Sequence, residues 1–185
     1  MTRVWLVRHG PTHARVFVGR TDLPADLSDG ARIDRLAAAL PHAPIVSSDL
    51  LRARTTADAL ARGRPRLPDA SGLREFDYGD WDGRAWDEID DPDLRRFLET
   101  PGDLRAPGGE SWNDLAARAT ATLERLAIGP DLIAVCHMGT ILTQWARATG
   151  LPPARAVAQP VAPLSLTRID LEPGGPVPVF ADRHP

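Results

Sequence analysis

Three short apolar runs in this chain each break off into a polar, turn-forming cluster, and each is followed by a stretch with helical periodicity. Arg3-Val-Trp-Leu-Val7 runs into Arg8-His9-Gly10, Ile45-Val46 into Ser47-Ser48-Asp49, and Leu132-Ile-Ala-Val-Cys136 into His137-Met-Gly139. Short β-branched runs without alternation read as strands buried on both faces. Strands alternating with amphipathic helices imply an α/β fold: a three-layer sandwich with a mostly parallel central sheet and helices on both faces. The apolar spacing predicts a helix capped by Ser28, carrying Ile33, Leu36, Ala37 and Leu40 and stopped by Pro41. A second is expected from a cap at Asp49 to about residue 60. A third is opened by the capping pair Ser111 and Asp114, with Leu115, Ala116, Ala119, Leu123 and Leu126 as its stripe. A fourth runs from about Thr140 to Thr149, ended by Gly150 and Pro152. Residues 63–72 read as a connection, Leu164 to Leu171 as an edge-type strand, and the tail as one short pairing at Val177 to Phe180. The length of 185 residues and a hydrophobic fraction of 43% suit a single domain spanning 1–185.

Charge narrows the function classes. The 22 basic side chains against 25 acidic ones leave a formal charge of -3, which gives no bulk attraction to nucleic acid or anionic membrane. Every one of the 22 is Arg, so Schiff-base and P-loop lysine chemistry is excluded, and bound anions meet guanidinium forks and helix N-termini. No signal-peptide-like or membrane-spanning run is present, and the lone Cys136 cannot form an internal disulfide; a cytoplasmic protein is expected. No exposed apolar stripe marks a subunit interface, so the oligomeric state is unassigned.

The three clusters share one topological position, beyond the carboxyl ends of the strands, where open α/β sheets bind ligands. Two histidines, two arginines and the amides of glycine turns or helix starts make a compact, positive, oxygen-seeking pocket, for which a phosphoryl group is the best match. Neighbouring Arg charges disfavour the cationic form of histidine and leave a neutral ring nitrogen able to attack phosphorus. Residue type alone leaves Glu75 evenly poised between a structural and a functional role. The nine acidic side chains from Glu75 to Asp93, set among Phe76, Tyr78, Trp81 and Trp86, read mainly as a solvated acidic face with aromatic undersides.

These motifs resemble those of the histidine phosphatase superfamily, the group that includes phosphoglycerate mutases and α-ribazole phosphatase. Leu6-Val-Arg-His-Gly-Pro-Thr12 looks like its signature. Gly19-Arg-Thr-Asp22, then Leu27-Ser28 and Gly30, are similar to the loop ahead of its first long helix. Ser47-Ser-Asp-Leu-Leu-Arg-Ala-Arg-Thr-Thr-Ala57, Leu73-Arg-Glu-Phe-Asp-Tyr-Gly-Asp-Trp-Asp-Gly83, Gly108-Gly-Glu-Ser111 and Val135-Cys-His-Met-Gly139 follow in the family's order, so the resemblance spans about residues 3 to 145. It implies His9 as the nucleophile that becomes phosphorylated, with Arg8, Arg52 and His137 binding the phosphoryl oxygens. Glu75 is implied as proton donor to the leaving alkoxide and then as base for water. Gly10, Thr12, Arg15, Arg20 and Gly139 are expected to contact substrate, and neither metal nor organic cofactor is called for. Pro11 stands where the family often has Glu, and Arg15 where many members place an Asn near the phosphate.

The expected activity is hydrolysis of a small phosphorylated metabolite. A phosphoglycerate mutase-like phosphotransferase and a non-catalytic phospho-ligand binding module are the alternatives, and a zinc site of His9, His13 and His137 is a weaker one. Of the arginines, Arg8 and Arg52 need the bidentate fork. Arg32, Arg35, Arg118 and Arg125 are expected at solvent-facing helix positions where Lys would serve equally well.

Overall fold

A computed structural model describes residues 1–185. Its five strands, β1 (Thr2–Arg8), β2 (Ile45–Ser47), β3 (Asp131–Cys136), β4 (Leu166–Glu172) and β5 (Gly175–Arg183), form one sheet in the order β2-β3-β1-β4-β5. The core trio β2, β3 and β1 is parallel, and β4 and β5 continue it antiparallel. Six helices accompany the sheet: α1 (Gly30–Ala39), α2 (Leu51–Ala61), α3 (Pro92–Glu99), α4 (Trp112–Leu126), α5 (Met138–Thr149) and the short α6 (Pro153–Ala156).

The strands divide their side chains between two cores by the period-two rule. Leu132, Ala134 and Cys136 of β3 face the larger core, shared with Leu115 and Leu123 of α4 and Ile141 of α5. Ile133 and Val135 face the other, shared with Leu36 of α1 and Ala53, Ala57 and Leu60 of α2. This is the expected three-layer sandwich. Each fully buried leucine in these layers contributes about 2 kcal/mol of apolar burial, so the parallel trio is held from both sides and its carboxyl ends are fixed in space.

Several local expectations need correction. β4 is not an edge strand: it is paired with β1 on one side and with β5 on the other, from Glu172–Gly175 to Leu166–Arg183 with an irregular register near Arg168. The tail contributes a nine-residue strand rather than one short pairing. Pro176 and Pro178 argue against a strand in sequence, yet β5 is the outermost strand, where a missing N–H on the open side does no harm. The cap of α1 is Asp29, whose carboxylate accepts from Arg32 N at 3.0 Å, rather than Ser28. Asp49 does not cap α2. Its carboxylate is taken by Arg74, and the free amide of Leu51 donates to Asp22 of the preceding loop at 2.6 Å. The end of the acidic stretch opens α3, capped by Asp91 with Pro92 in the first turn and burying Leu94 and Phe97. The capping box of Ser111 and Asp114 stands as expected, and Gly150 ends α5 at φ 70°. No helix is long and apolar enough to cross a membrane.

Candidate active site

Parallel pairing brings the ends of β1, β3 and β2 side by side, so the three clusters converge. His9 N continues the β1–β3 ladder by donating to Cys136 O at 3.1 Å. The His9 ring lies 5.0 Å from that of His137, centroid to centroid. Its Nδ1 lies 2.7 Å from the Gly10 carbonyl, which can only accept, so Nδ1 carries the proton and Nε2 keeps its lone pair. Gly10 in turn donates its amide to Thr56 Oγ1. A Cβ at Gly10 would stand 2.7 Å from Leu27 Cδ2 and 3.0 Å from the Asp26 carbonyl, so the turn requires glycine.

Arg52, in the first turn of α2, is only 1% exposed and donates to the carbonyls of Gly19 at 2.8 Å and Thr21 at 2.9 Å. Arg8 donates through Nη1 to Val161 O, while its Nε is buried without a protein partner. His137 is the N-cap of α5 and is fully buried; its Nε2 lies 2.9 Å from Ser48 Oγ, and its Nδ1 is likewise unpartnered. Glu75 follows the 3-10 turn Ser71–Leu73, and its Oε1 accepts from Phe76 N and Gly139 N, each at 3.0 Å.

One cavity of about 280 Å³ is lined together by Arg8, His9, Arg52 and Glu75, with Thr12 and Tyr78 completing the polar part of its wall. A cavity of similar size, about 310 Å³, lies at the opposite end of β2 and β3 between Pro44 and Leu132. The titratable groups in and beside the first are strongly perturbed; His137 does not line it but packs behind His9. Burial, aided by the charges of Arg52 and Arg8 and opposed by the bond to Gly10, pushes the His9 pKa down to about 3. Burial also holds His137 well below the usual histidine range, with His9 and Arg52 adding to the effect. Burial raises the Glu75 pKa, although two backbone N–H groups and the Arg52 and Arg8 charges pull the other way. The site therefore pairs a neutral ring nitrogen that keeps its lone pair with a carboxyl biased toward its protonated form, beside two guanidinium groups.

Not every expected contact residue lies here. Arg15 is exposed and does not line this cavity; it sits in a shallow pocket with Val16, Phe17 and Trp86 that abuts the cavity at Val16 and Phe17. Arg20 turns toward Asp77 and Glu110, at 3.5 and 3.7 Å, and does not line the cavity. Gly139 serves Glu75: a Cβ there would come within 2.5 Å of Glu75 Oε1. His13 pairs with Asp26 on an exposed loop, and no group of three His, Cys, Asp or Glu side chains is arranged to hold a metal ion.

Other supports were missed in the sequence. Asp82, read as part of a solvated face, accepts from the amides of Gly19, Arg20 and Thr21 and so fixes the loop that Arg52 grips. Arg118, expected in solvent, donates to the carbonyls of Gly72, Arg74 and Glu75 and to the Glu110 carboxylate. Arg32 reaches the Pro163 carbonyl. Lysine has too few donors in a fixed plane to replace Arg118. The signal available was only its spacing of eight from Glu110 on either side of the helix start.

Comparison with known proteins agrees with this geometry. The chain is 30% identical over 168 residues, 82% of each chain, to the adenosylcobalamin/alpha-ribazole phosphatase of Salmonella typhimurium. It is 37% identical over 172 residues to the glucosyl-3-phosphoglycerate phosphatase of Mycolicibacterium vanbaalenii, covering 81% of this chain and 75% of that one. The structure of Bacillus stearothermophilus YhfR superposes with a TM-score of 0.87 at 26% identity, covering 100% of this chain and 99% of that one. The family model of the histidine phosphatase superfamily (branch 1) matches residues 4–182, and the chain belongs to that superfamily.

Proposed function

We propose that the protein is a cytoplasmic, metal-independent phosphomonoesterase that hydrolyses a small phosphorylated metabolite through a phosphohistidine on His9. The observation that carries this reading is the His9 ring itself: Nδ1–H is fixed by the Gly10 carbonyl, and the neutral Nε2 shares a cavity with Arg8, Arg52 and Glu75. In the first step Nε2 forms a bond to phosphorus while the ester P–O bond breaks, and Glu75 passes its proton to the departing oxygen. In the second step water attacks phosphorus, its proton goes to the Glu75 carboxylate, and the N–P bond breaks to release inorganic phosphate. Both steps spread negative charge over the phosphoryl oxygens, and in this reading Arg8, Arg52 and His137 bind those oxygens; the unpartnered Nε of Arg8 and Nδ1 of His137 support it. The donor set is cationic and takes the anion directly. Relatives named as phosphatases of small phosphorylated compounds support the same class of substrate.

The test is hydrolysis of p-nitrophenyl phosphate with a chelator present. Activity is expected to persist, to be blocked by vanadate, and to fall at least about a thousandfold in His9→Ala, where the nucleophile is gone. Activity that requires added divalent metal, or that survives in His9→Ala, sinks the reading.

A further inference from the structure

A second cavity of about 190 Å³ adjoins the phosphoryl cavity, and the two share Tyr78, Leu98 and Met138 in their walls. Beyond those three it is enclosed by Phe76, Phe97, Trp112, Leu142 and Val157, with no charged side chain among its lining residues. Its wall is a packed aromatic set: Phe76 stacks on Tyr78 at 5.5 Å and meets Phe97 edge-on at 5.7 Å. Such a wall is rigid and presents flat apolar surface. The cavity reaches solvent past Met138 and Val157, each 37% exposed, so it is not a void sealed in the core.

Position gives this cavity its meaning. Glu75 lines the phosphoryl cavity, whereas the next residue, Phe76, lines the apolar one. Gly139, which donates to the Glu75 carboxylate, also lines the apolar cavity. The Glu75 carboxyl therefore stands at the boundary between the two cavities. We propose that this second cavity receives the leaving group, so that the preferred substrates are phosphomonoesters of alcohols with an uncharged apolar or aromatic body. The proposal rests on the phosphatase reading above. It also separates this chain from transfer between positions of a phosphoglycerate, whose carboxylate and second oxygen substituent would meet no cation there. Arg15 stands at the Val16–Phe17 rim of the phosphoryl cavity and does not line the apolar one.

The experiment compares kcat/KM for ethyl, hexyl and 2-phenylethyl phosphate and for 3-phosphoglycerate, the first three being esters of alcohols with similar leaving-group basicity. Each buried methylene adds about fourfold, so hexyl and 2-phenylethyl phosphate are expected to exceed ethyl phosphate by about tenfold or more. Val157→Trp fills the cavity from its exposed rim and Val157→Asp charges it; both are expected to collapse the ratio of 2-phenylethyl to ethyl phosphate. Hydrolysis of all esters at similar efficiency, or a ratio unmoved by both variants, overturns the apolar subsite while leaving the phosphatase reading intact. A preference for 3-phosphoglycerate that is lost in Arg15→Ala moves specificity to the Arg15 side and overturns it as well. If no ester is hydrolysed and no phosphoenzyme forms, the phosphatase reading itself fails, and the subsite with it.

Discussion

Glu75 depends on a neighbour that has no side chain. Its Oε1 is held by the amides of Phe76 and Gly139, and the first atom of any side chain at 139 would stand 2.5 Å from that oxygen and 2.6 Å from Phe76 Cδ2. Gly139→Ala is therefore expected to push the carboxyl off the line between the leaving oxygen and the amide that orients it. Gly139 lies in the first turn of α5, where alanine is the better helix former by about 1 kcal/mol, so part of the strain is offset and the fold should persist. Activity should not. A loss of kcat/KM, which reports the phosphorylation step alone, of about tenfold to a hundredfold is expected for alkyl phosphates, and a smaller loss for p-nitrophenyl phosphate, whose leaving oxygen needs little protonation. Equal losses on both esters, or none, would show that Gly139 does not act through Glu75. The same residue marks a limit of sequence reading. The string His137-Met-Gly139 signals that backbone approaches something closely, but a missing Cβ does not say whether substrate or a buried carboxyl fills the space. The same holds for Gly10, which makes room for Leu27 and orients His9.

The elements that the sequence displayed most clearly are those whose stability is local or buried on both faces. β1 and β3 are continuous apolar runs, and α4 carries its own capping box, so their ends, and with them His9 and His137, were legible. Long-range support was not. The loop Gly19–Asp22 is held by Asp82 on one side and by Arg52 on the other, and its last residue caps α2 from 29 positions away. Asp49 had the sequence signature of that cap, yet its two oxygens pair with Nε and Nη2 of Arg74. The two aspartates make a clean comparison. Asp22→Ala removes the partner of a helix-start amide and is expected to lower unfolding free energy by about 1 kcal/mol. Asp49→Ala breaks a partly exposed ion pair and should lower it by about 0.5 kcal/mol or less. Because Asp22 also ends the loop that Arg52 holds, Asp22→Ala is expected to raise KM for phosphate esters as well. Denaturant melts together with steady-state kinetics check both; a larger stability loss in Asp49→Ala would return the cap to the position the sequence suggested. β5 fits the same rule, since only the finished sheet reveals that Pro176 and Pro178 fall on an outer strand.

Over the whole molecule, a net charge of -3 coexists with two arginines and two neutral histidines packed at one end of the sheet. That arrangement has a consequence for stability. In the unfolded chain both histidines take up protons near pH 6.5, whereas in the fold His9 does so only near 3 and His137 well below its usual range. The unfolded state thus binds more protons at these two sites as pH falls through the interval, and stability present above pH 6.5 is lost below it. Glu75 acts in the opposite sense: its raised pKa keeps a proton in the native state that the unfolded chain has released, so it favours the fold as pH falls toward the ordinary carboxylate range. The two histidines set a slope of at most about two protons, or about 2.7 kcal/mol per pH unit, between pH 6 and 5, and the proton that Glu75 retains in the native state offsets part of it. Carboxyls such as Asp49 and Asp114, held low by their hydrogen bonds to Arg74 and Ser111, add their own losses only below about pH 4. Unfolding free energy measured at pH 7, 6 and 5 is therefore expected to decline on the acid side. Glu75→Gln removes the opposing group and should make that decline steeper, toward two protons. A profile flat from pH 7 to 5, or one that Glu75→Gln makes shallower, would mean that the two rings are not held neutral by the fold, and would remove the uncharged His9 nitrogen on which the proposed attack on phosphorus depends.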